Sequence, residues 1–384
     1  MKKLLYVTGS RAEYGIMKRL LVSFQNDIDI DLTLVATGMH CDESYGYTYK
    51  IIENDGFIID QLIDIDIDTS NNGKVLHSMS ICLSKFGEYF QENKFDSVII
   101  LGDRYEIYSV AIAAAMHNIP IIHIHGGEQT LGNYDEFIRH SITKMAKLHL
   151  CSTEEYRSRV IQLGERPESV FNVGALGAEN SLLLDLPSKS EITKKYGNLD
   201  KPYFVVLFHP ETLTRVSITE QTIELLSALN LFKDQFDFIF IGSNSDTGSD
   251  KIKDLILDFS KKNNYRYLKS VTTEDYLALN KYSCGLIGNS SSGIIEIPSL
   301  KIPTINIGMR QAGRVRGETV IDCLCDQHDI INSINKCRTN EFQNKIISSS
   351  NPYYQGNVLE KMINIIKDFL YSKNDNIKTF YDIK

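Results

Sequence analysis

The amino-acid sequence has no long run of lysine and arginine, no Cys-x-x-Cys pair and no uncharged apolar stretch approaching about 18 residues. The first absence, with a formal net charge of −8 from 41 basic and 49 acidic residues, argues against nucleic acid or an anionic membrane as a partner. The second indicates that the seven scattered cysteines are incidental reduced thiols. The third predicts that the chain has no transmembrane helix.

The apolar start of the chain lacks what a secretory signal needs. The run ends at Val7, and no small-residue cleavage site follows. With 384 residues, 42% of them hydrophobic, the chain can bury ample core without a metal or a disulfide, and its length favours two domains. We therefore expect a cytoplasmic enzyme or binding protein.

Short apolar runs alternate with segments in which apolar residues recur every three or four positions, the pattern of alternating strands and helices. The predicted strands form two series, 4–7, 32–36, 97–101, 119–124, 148–152 and 170–173, then, after a polar stretch at 187–202, 203–208, 237–241, 265–268, 284–288 and 304–307. This alternation predicts an α/β protein with two Rossmann-like, doubly wound domains.

The domain boundaries follow from the same patterns. We predict a first domain at 1–173, a second at 174–360 and a C-terminal helix and tail at 361–384, with the hinge near 174–177. The pattern at 358–371 predicts a long amphipathic helix, and 60–68, where Asp alternates with Ile, predicts a half-exposed strand. Doubly wound sheets bind ligands beyond the C-terminal ends of their strands, so the active site is expected in the cleft between the two domains.

The first motif that could bind a ligand lies where the first strand meets the first helix. It reads Thr8-Gly9-Ser10-Arg11-Ala12-Glu13-Tyr14-Gly15. Glycine lets the backbone approach a ligand, the helix N-terminus offers free N–H groups, and Arg11 adds a positive charge, which together suit a phosphate. The motif is neither the three-glycine dinucleotide fingerprint nor a P-loop. The alternative is a tight turn with a solvated arginine.

A serine-rich turn follows a buried strand in the second series. It contains Ser290, Ser291, Ser292 and Gly293 and leads into a short helix. Hydroxyl groups and the first N–H groups of the helix make a neutral anion cradle, and Glu296, one turn on, could accept hydrogen bonds from a ribose diol. The alternative is a well-capped helix, because serine is a preferred N-cap residue.

The next strand is followed by an arginine loop, 308–317, punctuated by glycine. It carries Arg310, Arg314 and Arg316 in an otherwise acidic protein, which is typical of a clamp for a diphosphate. Any one of these arginines could be solvated. We select Arg314 and Arg316 as ligand-binding residues, because this loop and the serine turn follow adjacent strands.

Titratable residues gather at the ends of the predicted strands of the first domain. Asp103, His125, Glu128 and Asp135 could all face one wall of the cleft, where proximity shifts pKa values toward acid–base work. His123 and His125 lie two apart, so a metal site with Asp103 is an alternative. One further ligand is missing, and we predict no metal site and a structural role for His123.

His209 ends the first strand of the second domain. It would face the carboxylates of the first domain across the cleft, as a catalytic acid or charge stabiliser, although a lone histidine is often structural. A nucleophilic mechanism has little support, because there is no Gly-x-Ser-x-Gly elbow and no cysteine beside a histidine in these loops.

Taken together, these motifs resemble those of the hydrolysing UDP-N-acetylglucosamine 2-epimerases of bacterial sialic acid synthesis, in particular the capsule-pathway subgroup that makes N-acetylmannosamine. The similarity runs from Leu4 to beyond Gly317. The motifs that carry it are Thr8-Gly9-Ser10-Arg11-Ala12-Glu13-Tyr14-Gly15, Gly102-Asp103-Arg104, His123-Ile124-His125-Gly126-Gly127-Glu128, Ile138-Arg139-His140, His209-Pro210-Glu211 and Gly288-Asn289-Ser290-Ser291-Ser292-Gly293.

The resemblance implies a fold of the glycosyltransferase B type, with the last helix packing back on the first domain. It also implies a substrate, UDP-N-acetylglucosamine, and a reaction with no cofactor: elimination of UDP to 2-acetamidoglucal, then hydration to N-acetylmannosamine. Carried over by motif, Asp103 and Asp135 are acid–base candidates, Arg139 orients the site and His209 stabilises or protonates the leaving phosphate. A homodimer is implied as well.

The sequence departs from the family pattern at one position. Many relatives carry a glutamate where this chain has His125, so either His125 or Glu128 is expected to take over its proton transfer. Four alternatives remain open: a hydrolysing epimerase of a UDP-2,4-diacetamido-trideoxyhexose, a non-hydrolysing epimerase, a UDP-sugar glycosyltransferase, and a nucleotide-sugar sensor without turnover.

Overall fold

The computed structural model describes residues 1–211, 213–214, 216–372 and 377–383. The first domain is built from β1 Lys2–Thr8, α1 Arg11–Gln25, β2 Ile30–Thr37, α2 Tyr49–Asn54, β3 Gln61–Ile63, α3 Asn72–Glu92, β4 Ser97–Leu101, α4 Tyr105–Met116, β5 Ile121–Ile124, α5 Asp135–Met145, β6 Leu148–Cys151, α6 Glu154–Gln162 and β7 Val170–Asn172.

The elements after β7 are α7 Leu176–Leu183, α8 Lys189–Tyr196, β8 Tyr203–Leu207, α9 Ile218–Asn230, β9 Asp237–Ile241, α10 Ser249–Asn263, β10 Arg266–Leu268, α11 Thr273–Lys281, β11 Leu286–Gly288, α12 Ser292–Ile295, β12 Thr304–Ile307, β13 Val320–Cys323, α13 Gln327–Cys337, α14 Asn340–Ser348 and α15 Val358–Tyr371. Single 3₁₀ turns lie at Gly38–Cys41, Glu43–Tyr45, Pro167–Ser169 and Ile297–Leu300.

Both sheets are parallel, and both reverse their strand order beside their first strand. The first sheet runs β3-β2-β1-β4-β5-β6-β7 and the second β10-β9-β8-β11-β12-β13. Their central strands are buried along their whole length, as in β4 with the sequence Ser-Val-Ile-Ile-Leu, because helices cover both faces of each sheet. The predicted pair of doubly wound α/β domains is thereby confirmed.

Three segments differ from the sequence-based expectation. The polar stretch 187–202 contains α8, an exposed helix fixed by a capping box of Ser188 and Glu191 and by one buried side chain, Ile192. The alternating segment 60–68 pairs with its neighbour only in β3, and β13 was not predicted. The edge strand β13 has only four residues, too few for a periodicity to emerge.

The last helix returns to the first domain. The side chains of Val358, Met362, Ile366 and Leu370, spaced by four, are buried in one core with residues of α1. The return begins where the backbone N–H of Ala175 donates to the carbonyl of Tyr353 at 2.8 Å. The helix starts at Val358, inside the range 174–360 predicted for the second domain.

The C-terminal ends of the two sheets face each other across a cleft.

None of the helices in the described residues is long and apolar enough to cross a membrane.

Candidate active site between the two domains

The cleft is lined by loops that leave the carboxyl ends of strands in both sheets. From the first domain come the loops after β1, β4 and β5 and the start of α5, and from the second the loops after β9, β11 and β12. Of the predicted residues, those that line the cleft are Asp103, His125, Glu128, Asp135, Arg139, Ser291, Ser292, Glu296 and Arg314. The switch points of both sheets therefore meet at one site.

Arg139 holds the first-domain wall together. Its guanidinium is fully buried, forms an ion pair with Asp103 and donates to the carbonyl of Glu128 at 2.8 Å and to Thr130 Oγ1 at 2.9 Å. A second ion pair joins it to Glu136 at 3.3 Å. A buried guanidinium needs a hydrogen-bond partner for each of its N–H groups, and the partners of Arg139 are fixed. Arg139 therefore sets the position of Asp103. The orienting role that the resemblance implies for Arg139 stays a prediction.

Asp135 begins α5 beside two other carboxylates. Burial raises its pKa to about 8, and the charges of Asp103 and Asp246 add to this effect, while Arg310 and Arg139 oppose it. The nearest cation is Arg310, whose Nη2 lies 3.9 Å from Asp135 Oδ2. A carboxyl in this position carries a proton near neutral pH and can act as an acid.

His125 and Glu128 form a dyad that reaches across the cleft to Arg314. The Nδ1 atom of His125 lies 2.8 Å from Glu128 Oε1, and Glu128 also accepts from Ser152 Oγ at 2.8 Å and pairs with Arg314 Nη2 at 2.9 Å. Burial opposes ionisation of Glu128, but Arg314 and His125 outweigh it and hold its pKa well below the usual range. Glu128 is therefore a fixed anion.

The other ring nitrogen of His125, Nε2, is buried and has no hydrogen-bond partner among the described residues. The backbone of His125 is left-handed, with φ +68°. Non-glycine residues adopt this conformation rarely, and it is concentrated at functional sites. With Nδ1 fixed on Glu128, Nε2 is the atom left to meet a ligand.

His209 lies behind this wall and is absent from the residues that line the cleft in the described part of the chain. Its backbone is clamped by Asn289, and its Nδ1 accepts from the N–H of Asn244 at 3.4 Å. Burial lowers its pKa to about 3, with Arg310 adding to the effect and Asp246 opposing it. His209 is therefore neutral, with the proton on Nε2, and is suited to donate a hydrogen bond.

Two of the three serines in the serine turn face the cleft. Ser291 and Ser292 line it, whereas Ser290 bonds to Ser292 Oγ at 3.0 Å and lies outside. Ser292 is in turn held by the hydroxyl of Tyr276 at 2.5 Å. A Cβ on Gly293 would lie 2.5 Å from Thr304 Cγ2, so this glycine is required for α12 to pack on β12.

Glu296 follows the serine turn and lines the cleft, and its carboxyl group has no hydrogen bond to a described residue. Burial raises the pKa of its carboxyl group to about 7, although the charges of His125 and Arg11 act to lower it. Its free carboxyl oxygens can accept hydrogen bonds from a ribose diol, the role expected from the sequence.

Two predicted arginines do not line this cleft. The Nη1 atom of Arg11 donates to the carbonyl of Val271, beside a smaller neighbouring cavity. The guanidinium of Arg316 donates hydrogen bonds to Asp322 at 2.9 Å and to two carbonyls of its own loop at 2.8 and 2.9 Å. The cations of the second domain that line the cleft are instead Arg310 and Arg314.

The possible metal site of His123, His125 and Asp103 does not form. The ring of His123 is buried, with Nε2 2.8 Å from the carbonyl of Gly102 and Nδ1 3.2 Å from Thr143 Oγ1, which agrees with a structural role. Since β5 ends at Ile124, the strand spacing that suggested a shared face does not extend to His125. The described residues contain no group of three His, Cys, Asp or Glu side chains that could hold a metal ion.

Four charged residues of the site were not among the predicted site residues. Arg104 lies in the motif that was quoted for Asp103, and Glu13 lies in the motif that was quoted for Arg11. Arg310 lies in the arginine loop. Asp246, in the loop after β9, stands in no recognisable motif, and only its place after a predicted strand could have drawn attention to it. Glu13 accepts from the N–H of Gly9 at 2.9 Å, and burial raises its pKa to about 8.

Comparison with known proteins places these features in context. The family model described as UDP-N-acetylglucosamine 2-epimerase matches residues 23–367. The chain is 61% identical to the polysialic acid biosynthesis protein P7 of Escherichia coli over 100% of this chain and 98% of that protein. It is 37% identical to the GDP/UDP-N,N'-diacetylbacillosamine 2-epimerase (hydrolyzing) of Campylobacter jejuni over 89% of each chain.

Solved structures show the same fold at low sequence identity. The structure of UDP-GlcNAc 2-epimerase from Neisseria meningitidis bound to UDP-GlcNAc has a TM-score of 0.79 at 18% identity, covering 95% of this chain and 100% of that one. The Staphylococcus aureus MnaA–UDP structure has a TM-score of 0.78 at 18% identity, covering 96% and 97%. These likenesses confirm the predicted two-domain fold of the glycosyltransferase B type.

Proposed function

Since the chain belongs to the UDP-N-acetylglucosamine 2-epimerase family, we propose that it is a hydrolysing member, which converts UDP-N-acetylglucosamine and water to N-acetylmannosamine and UDP. The observation that carries the proposal is the pairing, in one cleft, of a protonated carboxyl on Asp135 with an unpartnered nitrogen on His125. The names of two curated relatives support it, because one denotes a hydrolysing 2-epimerase and the other polysialic acid synthesis.

The chemistry needs two groups on opposite faces of the sugar. In the first step a base takes the proton from C2, the C1–oxygen bond to UDP breaks, and a C1–C2 double bond forms. In the second step an acid returns a proton to C2 from the other face, the hydroxide equivalent of water bonds to C1, and the second proton of water leaves to a base. Inversion at C2 follows from the change of face.

We assign the base to Nε2 of His125 and the acid to Asp135. Glu128 is unsuited to proton transfer, since its carboxylate is already committed to Arg314, Ser152 and His125. It serves instead to hold Nδ1–H and so leaves the lone pair of His125 on Nε2. Asp103, paired with Arg139, faces Asp135 and raises its proton affinity.

The C2 proton is only weakly acidic, so the negative charge that develops on the departing UDP has to be stabilised. Arg310 and Arg314 supply positive charge beside the hydroxyls and N–H groups of Ser291 and Ser292. Glu296 binds the ribose diol. His209, behind Arg310, supplies a neutral Nε2–H donor, which suits the charge-stabilising alternative expected from the sequence better than the acid.

The test is an incubation with UDP-N-acetylglucosamine alone, followed by proton NMR. Release of UDP with free N-acetylmannosamine supports the proposal. Formation of UDP-N-acetylmannosamine without UDP would identify a non-hydrolysing epimerase, and no reaction without an added sugar acceptor would favour a glycosyltransferase.

A second candidate substrate is a UDP-2,4-diacetamido-trideoxyhexose, favoured by the name of the 37% identical relative. The same assay with each sugar nucleotide in competition separates the two, since the preferred one is consumed first.

The homodimer stays a prediction, which sedimentation equilibrium tests.

A further inference from the structure

The loop between β9 and α10, residues 242–248, lies against the first domain. It belongs to the second sheet, yet its tip is bonded to the segment before α3 and to the start of α4. The bonds are Gly248 N–H to the carbonyl of Thr69 at 3.0 Å, Thr247 Oγ1 to Asn72 Oδ1 at 3.2 Å and Arg104 Nη2 to Ser245 Oγ at 2.6 Å. The position of this loop relative to the first domain therefore depends on how the two domains are arranged.

The loop carries Asp246, which is 5% exposed and lies beside two arginines and the neutral His209. Its Oδ2 lies 3.3 Å from Arg310 Nη2 and 4.0 Å from His209 Nδ1, and its Oδ1 lies 3.9 Å from Arg104 Nη1. The same Arg310 Nη2 lies 3.9 Å from Asp135 Oδ2. One guanidinium nitrogen is thus shared by a carboxyl of the first domain and a carboxylate of the second.

We propose that Asp246 is a positioning residue for the reaction. When the domains close, Asp246 pairs with Arg310, the cation that Asp135 also faces. Asp135 therefore keeps its proton until it delivers it to the sugar. This proposal rests on the proposed function, in which Asp135 is the acid that returns a proton to C2. Two carboxyl groups that share one cation cannot both ionise without cost, and the one with the better partners ionises first.

Asp246 has the better partners. Burial disfavours its charge, but Arg310 and Arg104 outweigh burial and lower its pKa. Asp135 meets the opposite balance, because burial and two facing carboxylates raise its pKa to about 8. The competition therefore leaves the negative charge on Asp246 and the proton on Asp135.

Every element packed around Asp135 contributes a group to this balance. Asp103 faces it from the loop after β4, Asp246 from the loop after β9 and Arg310 from the loop after β12. On its own side of the cleft lie Arg139, one helical turn along α5, and Asn133, whose Nδ2 donates to Asp135 Oδ2 at 3.1 Å. Tyr134, with its pKa raised above the usual value, stays neutral. Asp246 and Arg310 are the charges that the second domain brings to Asp135.

The first experiment measures the pH dependence of kcat, which reports the enzyme–substrate complex. The alkaline limb should mark loss of the Asp135 proton. In Asp246→Asn and Asp246→Ser this limb should move to lower pH by about one unit, since one facing negative charge is gone. Asp246→Glu should keep it near the native position. The matched control is Asp250→Asn, an exposed residue four positions on, which should leave the profile unchanged.

The second experiment does not depend on turnover. The side chain of Asp135 is titrated by carboxyl-carbon NMR in the UDP-bound protein, with Asp135→Asn to assign the signal. The midpoint should be lower in both neutral variants of Asp246 than in the native protein and in Asp246→Glu. An unchanged midpoint and an unchanged alkaline limb in both neutral variants would overturn the proposal. Absence of UDP release by the native enzyme, with a shifted midpoint, would instead refute the proposed function alone.

Discussion

Replacement of His125 separates its proposed chemical role from its role in the backbone. An alanine here removes the base and also has to adopt φ +68°, which costs a non-glycine, non-asparagine residue about 1 kcal/mol or more. Asparagine tolerates the left-handed region and can still bond to Glu128, but it has no basic nitrogen. His125→Asn is therefore the sharper perturbation, and His125→Ala is its comparison.

The magnitude follows from the contribution of a positioned base. General-base catalysis is worth about 100- to 10,000-fold, equivalent to about 2.7 to 5.5 kcal/mol of transition-state stabilisation. We expect kcat to fall at least about 100-fold in both variants. The melting temperature should fall further in His125→Ala than in His125→Asn, because alanine tolerates the left-handed region less well than histidine or asparagine.

The assay couples UDP release to a spectrophotometric readout and records thermal unfolding in parallel. His125→Glu, which places a carboxylate where many relatives carry one, is expected to recover part of the lost turnover. If His125→Asn turns over within about tenfold of the native enzyme, its nitrogen is not the base and the assignment is refuted.

Four further predictions concern the rest of the chain. Asp135→Asn should abolish turnover yet raise the melting temperature at pH 8 to 9, because the native carboxyl there is forced to ionise while buried; the difference should vanish below pH 4, where it is protonated in both the folded and unfolded states. For the same reason, unfolding by urea should show stability falling as pH rises from about 7.5 to 9, since Glu13 and Glu296 also keep protons that the unfolded chain has released; at lower pH the buried neutral histidines, such as His123 and His209, oppose this trend, and a rise between about pH 7.5 and 9 would contradict the raised pKa values. Glu211→Gln, which weakens the acceptor for the N–H groups of Met309 and Arg310 at 2.6 and 3.0 Å, should raise KM for the sugar nucleotide by about tenfold with a smaller effect on melting; an unchanged KM would show that the arginine loop needs no such anchor. Met362→Ala should cost about 2–5 kcal/mol in urea unfolding because it opens a cavity under α15, and a cost below about 1 kcal/mol would mean that this helix adds little to the first-domain core.

The sequence predicts the two sheets well, for a physical reason. Central parallel strands such as β4 and β8 are buried on both faces, so they appear as short continuous apolar runs between amphipathic helices. The C-terminal helix was predicted with the bounds that it has, because its apolar stripe is regular over fourteen residues.

The site was predictable only as far as strand ends indicate it. The residues after β4, β5 and β11 could be assigned to the cleft because the topology places those strand ends together. The arginines that line the cleft could not be identified from the sequence. Arg310 and Arg316 lie in the same loop and differ only in the partners that folding gives them. Asp246 was invisible for a related reason: its importance comes from contacts across the two domains, which no local pattern records.

The protonation of Asp135 was equally out of reach. A carboxyl at the start of a helix is normally stabilised as an anion by the free N–H groups. Here burial and two more carboxylates reverse that preference, and both depend on residues far away in the sequence.

The central claim, that UDP leaves by elimination and water then adds to the resulting double bond, is tested by one reaction in deuterated water enriched in ¹⁸O. Mass spectrometry and proton NMR of the products decide the outcome. The account predicts free N-acetylmannosamine with deuterium at C2, and UDP without ¹⁸O, because the C1–oxygen bond is the one that breaks. Hydrogen retained at C2, or ¹⁸O in the β-phosphate of UDP, would contradict it.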